Sequence, residues 1–505
     1  MDTFDVAVVG AGHNGLACAA LLGKSGLRVA VFERRDRIGG AAVSEHDVWP
    51  GYTVSAASYV VSLLDPWLIE TLDLRAHGYD AYRKLPWEFT PLPDGRSILL
   101  GVDRANDDVE ISRFNPNDVS GFHAFDERVE SLGRALFETF SDEEPSFERF
   151  EPETQAIFEG SAAELVERYV KTPVLQAALV NDGLVGTNLG PRNRGTGYVL
   201  AHHNAGRAFG AQGAWGYVRG GMGAITQALA SAARAHGVQI YSNARVERIL
   251  TYNDCVSGVL LDDGRDIAVR AVASNAHPKT TFLDLLDGAA LDRTFLAKLR
   301  AWKTTGPSLK LNLAIGELPN FTARPGTNAQ LHHKATIHVA PSIDYLQRAY
   351  EDSLVHGESV EPMIECFLQT PTDPSLAPDG KHILSIFAQY FPYGRRGGWN
   401  EAAKNRAADK IVEILGRLAP NLPNAIEARQ ILSPEDLESR IGLIGGHIFH
   451  GELTPGQIYE NRFATRTPVR GLYLCGSGAH PGGCVSGFPG KRAAAAIAAD
   501  LAVAV

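Results

Sequence analysis

Long apolar runs are missing from this chain. No stretch of about eighteen apolar residues occurs, so no segment reads as a membrane-spanning helix. The Ala-rich end from Ala493 to Val505 is too short and is interrupted by Asp500. Cysteine is scarce: Cys18, Cys255, Cys366, Cys475 and Cys484 lie far apart. No pair has metal-ligand spacing, so no metal site is expected, and an odd number over this length is not a disulfide framework. Reduced thiols fit a cytoplasmic protein. Runs of Lys or Arg are also missing, and the net charge is −10, which argues against a nucleic-acid partner. The start, Met1-Asp2-Thr3-Phe4-Asp5, lacks a basic n-region, so no signal peptide is expected. None of this bars peripheral contact with a membrane. No internal repeat is found.

What is present fits a globular chain, with 45% apolar and 21% charged residues. At 505 residues it exceeds what one core usually serves, so two domains are expected. Val6 to Val9 reads as a buried parallel strand, Leu16 to Lys24 as a helix and Leu27 to Phe32 as a second strand. Together they make one βαβ unit. Phe89 to Leu100 reads as a hairpin around Pro93-Asp94-Gly95. Residues 116–178 have helical period. Ala224 to His236 reads as a helix, and Val246 to Leu261 as paired strands. Short β-like runs at Leu309 to Ile315, Ile364 to Gln369 and His382 to Tyr390 suggest a second sheet. Gly471 to Gly476 reads as a last strand before a glycine-rich loop and a final helix. The expected class is α/β, α+β overall. A discontinuous nucleotide domain is expected over 1–75, 215–285 and 435–505, with a mixed-sheet and helical substrate domain over 76–214 and 286–434.

Gly10-Ala11-Gly12-His13-Asn14-Gly15 lies between strand and helix, where a GxGxxG pattern has mechanical meaning. Gly10 permits a tight turn, Gly12 lets the backbone approach a pyrophosphate, and Gly15 lets helix and strand pack closely. N–H groups around His13 and Asn14 and the helix dipole then hold phosphate. Glu33 ends the second strand, where a carboxylate accepts from a ribose diol and repels a 2′-phosphate, with Arg34 beside it. FAD and NAD share this pattern. Gly39-Gly40-Ala41 points to FAD, because a glycine pair clears side chains beside an extended ribityl-pyrophosphate. The loop from Gly476 through His480-Pro481-Gly482-Gly483-Cys484-Val485-Ser486-Gly487 opens a second helix. Backbone N–H groups around Val485, Ser486 and Gly487 are candidates for stabilising charge on the reduced flavin.

These motifs, with Arg219-Gly220-Gly221-Met222-Gly223, His202-His203, Gly213-Ala214-Trp215-Gly216 and Ile448-Phe449-His450-Gly451-Glu452-Leu453, resemble the bacterial-type phytoene desaturase superfamily. The likeness spans nearly the whole chain. It is strongest to the phytoene dehydrogenase-related branch, which includes carotenoid ketolase-like proteins and the pyridine nucleotide-disulfide oxidoreductase domain-containing protein 2 group. The resemblance implies a non-covalent FAD in a Rossmann-like domain of amine-oxidase and phytoene-desaturase type. It also implies oxidation of apolar, isoprenoid- or carotenoid-like substrates, often reached from a membrane surface. Val246 would touch the adenine through its backbone. Two residues depart from the pattern. Cys484 stands where glycine is expected, which raises covalent flavin attachment against a small residue that merely fits. His277 stands where an acid is usual.

Hydride transfer to flavin N5 asks the protein for positioning and for a proton acceptor. The histidine candidates for catalysis are His203 and His480, with His202, Tyr59 and Trp215 as candidate pocket residues. The electron acceptor, dioxygen or a quinone, is not readable. A flavin amine oxidase is the first alternative, although the His480-Pro481-Gly482-Gly483 loop offers no aromatic pair for a cage. A flavin-containing assembly or chaperone protein is the second. A disulfide reductase is disfavoured, since no CxxxxC lies near the first helix.

Overall fold

The computed structural model describes residues 4–286 and 291–503. Met1, Asp2 and Thr3 at the start, and Ala504 and Val505 at the end, lie outside the described residues.

Strands Val6–Val9, Val29–Phe32, Gln239–Tyr241, Ala271–Ser274 and Leu472–Leu474 form a parallel sheet. Its spatial order is Leu472–Leu474, Ala271–Ser274, Val6–Val9, Val29–Phe32, Gln239–Tyr241. Successive strand residues point to opposite faces, and both faces here are apolar, as a buried parallel sheet requires. Val6, Val8, Val29 and Val31 pack on helices His13–Lys24, Gly223–Ala235 and Phe488–Asp500. Ala7, Val9, Ala30 and Phe32 pack under an antiparallel meander of Val246–Tyr252, Cys255–Leu261 and Asp266–Ala268.

A second sheet has seven strands. Its order is Ile426–Leu432, Ser308–Ile315, His382–Gln389, Met363–Leu368, Thr336–Val339, Glu88–Pro91, Ser97–Leu100. The Pro-Asp-Gly hairpin is therefore an edge of this sheet. One face carries Leu309, Leu311, Leu313, Ile364, Cys366, Ile386 and Ile337 and packs on helix Glu401–Leu418. The opposite face carries Lys310, Phe387, Glu365 and His338, which are direct cross-strand partners in that order. Helices Asp118–Thr139, Pro152–Glu159, Ala162–Tyr169, Pro173–Val180 and Thr196–His203 form a third layer with an aromatic-rich core. No described helix is long and apolar enough to cross a membrane.

Candidate active site

One cavity of about 1030 Å³ runs between the parallel sheet, the helical layer and the polar face of the seven-stranded sheet. At one end Gly10, Gly12, His13, Asn14, Glu33, Arg34, Gly40, Ala41, Val246 and Val485 reach its wall. Gly10 has φ +94°, a conformation that costs an L side chain and costs glycine little. A Cβ on Gly15 would lie 2.4 Å from the Gly10 carbonyl oxygen, so helix and loop fit only because it is glycine. Helix His13–Lys24 has no side-chain cap, which leaves first-turn N–H groups for an anion. Glu33 accepts from the Ala11 N–H at 2.9 Å and the Arg35 N–H at 3.0 Å, with lone pairs to spare.

The two chain ends are tied at this point. The Asn14 side chain donates to Ser477 Oγ at 3.2 Å and accepts from the Gly487 N–H at 3.1 Å. That second bond corrects one expectation, because the Gly487 N–H is spent on Asn14 and is not free for the flavin. Ser486 also lies off the cavity wall, with its carbonyl oxygen accepting from the Asp65 N–H at 2.9 Å. Gly39 and Gly476 sit behind the wall as packing residues. Gly39 donates its N–H to the Ala11 carbonyl at 2.9 Å, and a Cβ on Gly476 would meet the Asn275 carbonyl oxygen at 2.7 Å. His13 is half-buried, its enclosed Nε2 has no partner, and desolvation lowers its pKa to about 4. A neutral ring aimed at this cavity suits a polar ligand better than a bare apolar one. Burial pushes the Cys484 thiol up to about 12, and a protonated thiol is the weaker nucleophile. His277 also reaches the wall, and burial holds it well below its usual range, so it supplies no acid.

At the other end the three histidine candidates separate. His203 reaches the cavity, with Nδ1 at 2.7 Å from the Asp182 carbonyl oxygen and 3.1 Å from that of Val199. Carbonyls only accept, so Nδ1 carries the hydrogen and Nε2 is left as an acceptor. His480 and His202 do not reach the wall, and the expectations for them are corrected. His480 Nε2 donates to the Thr139 carbonyl at 3.1 Å, with its ring among Phe140 and Tyr459. His202 packs against Phe140 and Tyr198, 3.4 Å from the Gly483 carbonyl oxygen. Both are core histidines, pushed far down by burial. His480→Ala should therefore cost about 1–3 kcal/mol of stability while bound FAD stays reducible. Thermal melts and photoreduction of the purified variant would check this.

Tyr59 and Trp215 both reach the cavity. Tyr59 sits 4.4 Å from Phe367 and 5.8 Å from Phe387 between ring centroids, forming an aromatic wall that the C-terminal loop itself does not supply. Sequence reasoning missed the charged groups around it: Lys84, Glu88, Asp182, Lys310, His338 and Glu365. Their signal was polar residues at every second position of apolar strands, as with Lys310 and Asn312 inside Leu309 to Ile315. Burial lowers Lys310 to about 7 and Lys84 to about 8. Burial would also lower His338, but flanking Glu88 and Glu365 outweigh it and raise it to about 10. Among the described residues, no group of three or more His, Cys, Asp or Glu is placed to hold a metal ion.

The profile of the flavin containing amine oxidoreductase family matches residues 15–498. The chain belongs to that family. It is 38% identical to pyridine nucleotide-disulfide oxidoreductase domain-containing protein 2 of Rattus norvegicus, over 99% of this chain and 94% of that one. It is 29% identical to the lycopene-forming phytoene desaturase of Pseudescherichia vulneris, over 98% of each. Cyclohexylamine oxidase from Brevibacterium oxydans IH-35A superposes with TM-score 0.63 at 19% identity, covering 99% of this chain and all of that one (100%). Putrescine oxidase bound to putrescine gives TM-score 0.63 at 18% identity over 99% of each chain. The cofactor is FAD and the chain is an FAD-dependent oxidoreductase. The glycine cradle, the uncapped helix end and the unpartnered His13 nitrogen fit that cofactor.

Proposed function

We propose that this enzyme oxidises a C–H bond of an elongated, mainly apolar substrate with an isoprenoid- or carotenoid-like body. The observation that carries the reading is the single cavity joining the nucleotide cradle to a chamber walled by Phe122, Phe125, Val129, Leu179, Leu200 and Trp215. FAD supplies the two-electron oxidation by accepting hydride at N5. The backbone at Gly10, Gly12 and His13, with Glu33, holds the dinucleotide. The aromatic wall of Tyr59, Phe367 and Phe387 excludes water and presses the substrate into place. His203 Nε2 is a proton acceptor within the same chamber. Dioxygen or a quinone re-oxidises the enzyme, and a peripheral membrane location would bring it to an apolar substrate.

Amine oxidation is the second reading, favoured by the same aromatic wall. Anaerobic stopped-flow mixing with isoprenoids and with alkylamines tests both. Substrate-driven bleaching of the flavin by an isoprenoid is expected. Bleaching by amines alone would replace the first reading with the second.

A further inference from the structure

The polar face of the seven-stranded sheet is built beyond what folding needs. Tyr59 Oη donates to Glu365 Oε2 at 3.2 Å. Glu365 Oε1 accepts from His338 Nε2 at 2.8 Å, and His338 Nδ1 donates to Glu88 Oε2 at 2.6 Å. Thr90 donates to the other oxygen of Glu88. Glu88, His338 and Glu365 are 0%, 5% and 4% exposed. Buried charges of this kind are often no more stabilising than apolar side chains of the same volume. All four members of the chain nevertheless reach the cavity wall, where ionisable clusters point to chemistry.

Two buried amines flank the same spot. Lys310 Nζ lies 5.1 Å from the Tyr59 ring centroid, and Lys84 Nζ lies 5.9 Å from that of Phe367. Lys310 spends two donors on Asn312 and Ser385. Lys84 spends two on the Trp87 carbonyl and Thr336. A protonated lysine has three N–H groups, so in that form each keeps one for an oxygen acceptor. The Tyr59 hydrogen is committed to Glu365, which leaves the phenol oxygen as an acceptor. The group that satisfies both needs donates one hydrogen and accepts others, as a hydroxyl does. A substrate ammonium would meet His338 and Lys84 as like charges and has no lone pair to accept from a lysine N–H. Asp182 also faces this cluster, and burial pushes its carboxyl up.

Building on the reading above, we propose that the oxidised carbon of the substrate bears a hydroxyl and that the Tyr59–Glu365–His338–Glu88 chain takes the hydroxyl proton. The C–H bond breaks with its electron pair going to FAD. The O–H proton passes to Tyr59 Oη as Tyr59 passes its own to Glu365, and C=O forms. Glu365 ends protonated, FAD ends two electrons richer, and dioxygen or a quinone removes those electrons. Tyr59 touches the substrate; Glu365 receives the proton; His338 and Glu88 are positioning residues.

The test uses FAD-loaded enzyme, anaerobically, with farnesol, farnesylamine and farnesene, three probes with one isoprenoid body and different heads. Farnesol should bleach the flavin fastest, with a solvent-deuterium isotope effect. Glu365→Gln and Tyr59→Phe should each slow that step roughly 100-fold at unchanged FAD content, and Glu365→Asp should restore part of it. Tyr59→Phe keeps the buried charges paired, so it stays decisive if Glu365→Gln folds poorly. Farnesene or farnesylamine bleaching as fast as farnesol, or full speed in Tyr59→Phe, overturns the hydroxyl inference alone. Three inert probes would sink the elongated-substrate reading and this inference with it.

Discussion

Gly12→Val should give a folded, colourless protein. A Cβ at Gly12 would lie 2.6 Å from Asn275 Nδ2, and the two further methyls would project into the cavity where the helix presents its free N–H groups. Gly12 has φ −74°, so the backbone itself accepts valine and the harm falls on the ligand. Hydrogen bonds from backbone N–H to a charged phosphate contribute about 1.5–3 kcal/mol each. Losing two of them weakens FAD binding by roughly two to four orders of magnitude. Calorimetric titration of the apoprotein with FAD measures the loss, and circular dichroism shows whether the variant is folded. A yellow variant with unchanged affinity would mean that the dinucleotide does not approach this glycine.

The nucleotide end was legible because its signals are local. Val6 to Val9, the glycine loop and Glu33 are close in sequence, and the role expected of each follows from its place in one βαβ unit. Asn14 lies on the cavity wall, yet its bonds to Ser477 and the Gly487 N–H span most of the chain and no spacing announces them. The histidines show the limit more sharply. His202, His203 and His480 are chemically identical in sequence, and only packing decides that His203 alone of the three faces the cavity. The charged wall was invisible for a related reason. Lys310, Glu365, His338 and Glu88 come from four strands, and they meet only through cross-strand register and the pleat that turns them to one face. Alternation within each strand could have flagged a polar face, but not what that face lies against.

His338→Leu should be the most destabilising single change in that wall. It leaves Glu88 and Glu365 buried with no cation between them, and breaking a buried ion pair by removing one partner costs about 3–5 kcal/mol. The pH dependence has a definite sign. His338 is raised from 6.5 to about 10 in the folded protein, so the native state binds an extra proton between those values. Its contribution is therefore complete below about pH 6.5 and is lost as pH rises towards about 10. Lys310 and Lys84, lowered to about 7 and about 8, titrate in the same window with the opposite sign. Both lysines are present in wild type and variant, so the difference between the two proteins is the quantity to follow. In acid, one of the facing carboxylates in the variant takes a proton and relieves their repulsion, so the gap narrows there as well. The stability difference should thus be largest near neutral pH and shrink on both sides. Urea titrations of the two proteins across that range measure it. A gap that stays flat between about pH 6.5 and about pH 10 would show that His338 is neutral in the fold and that the chain of bonds to Tyr59 carries no charge.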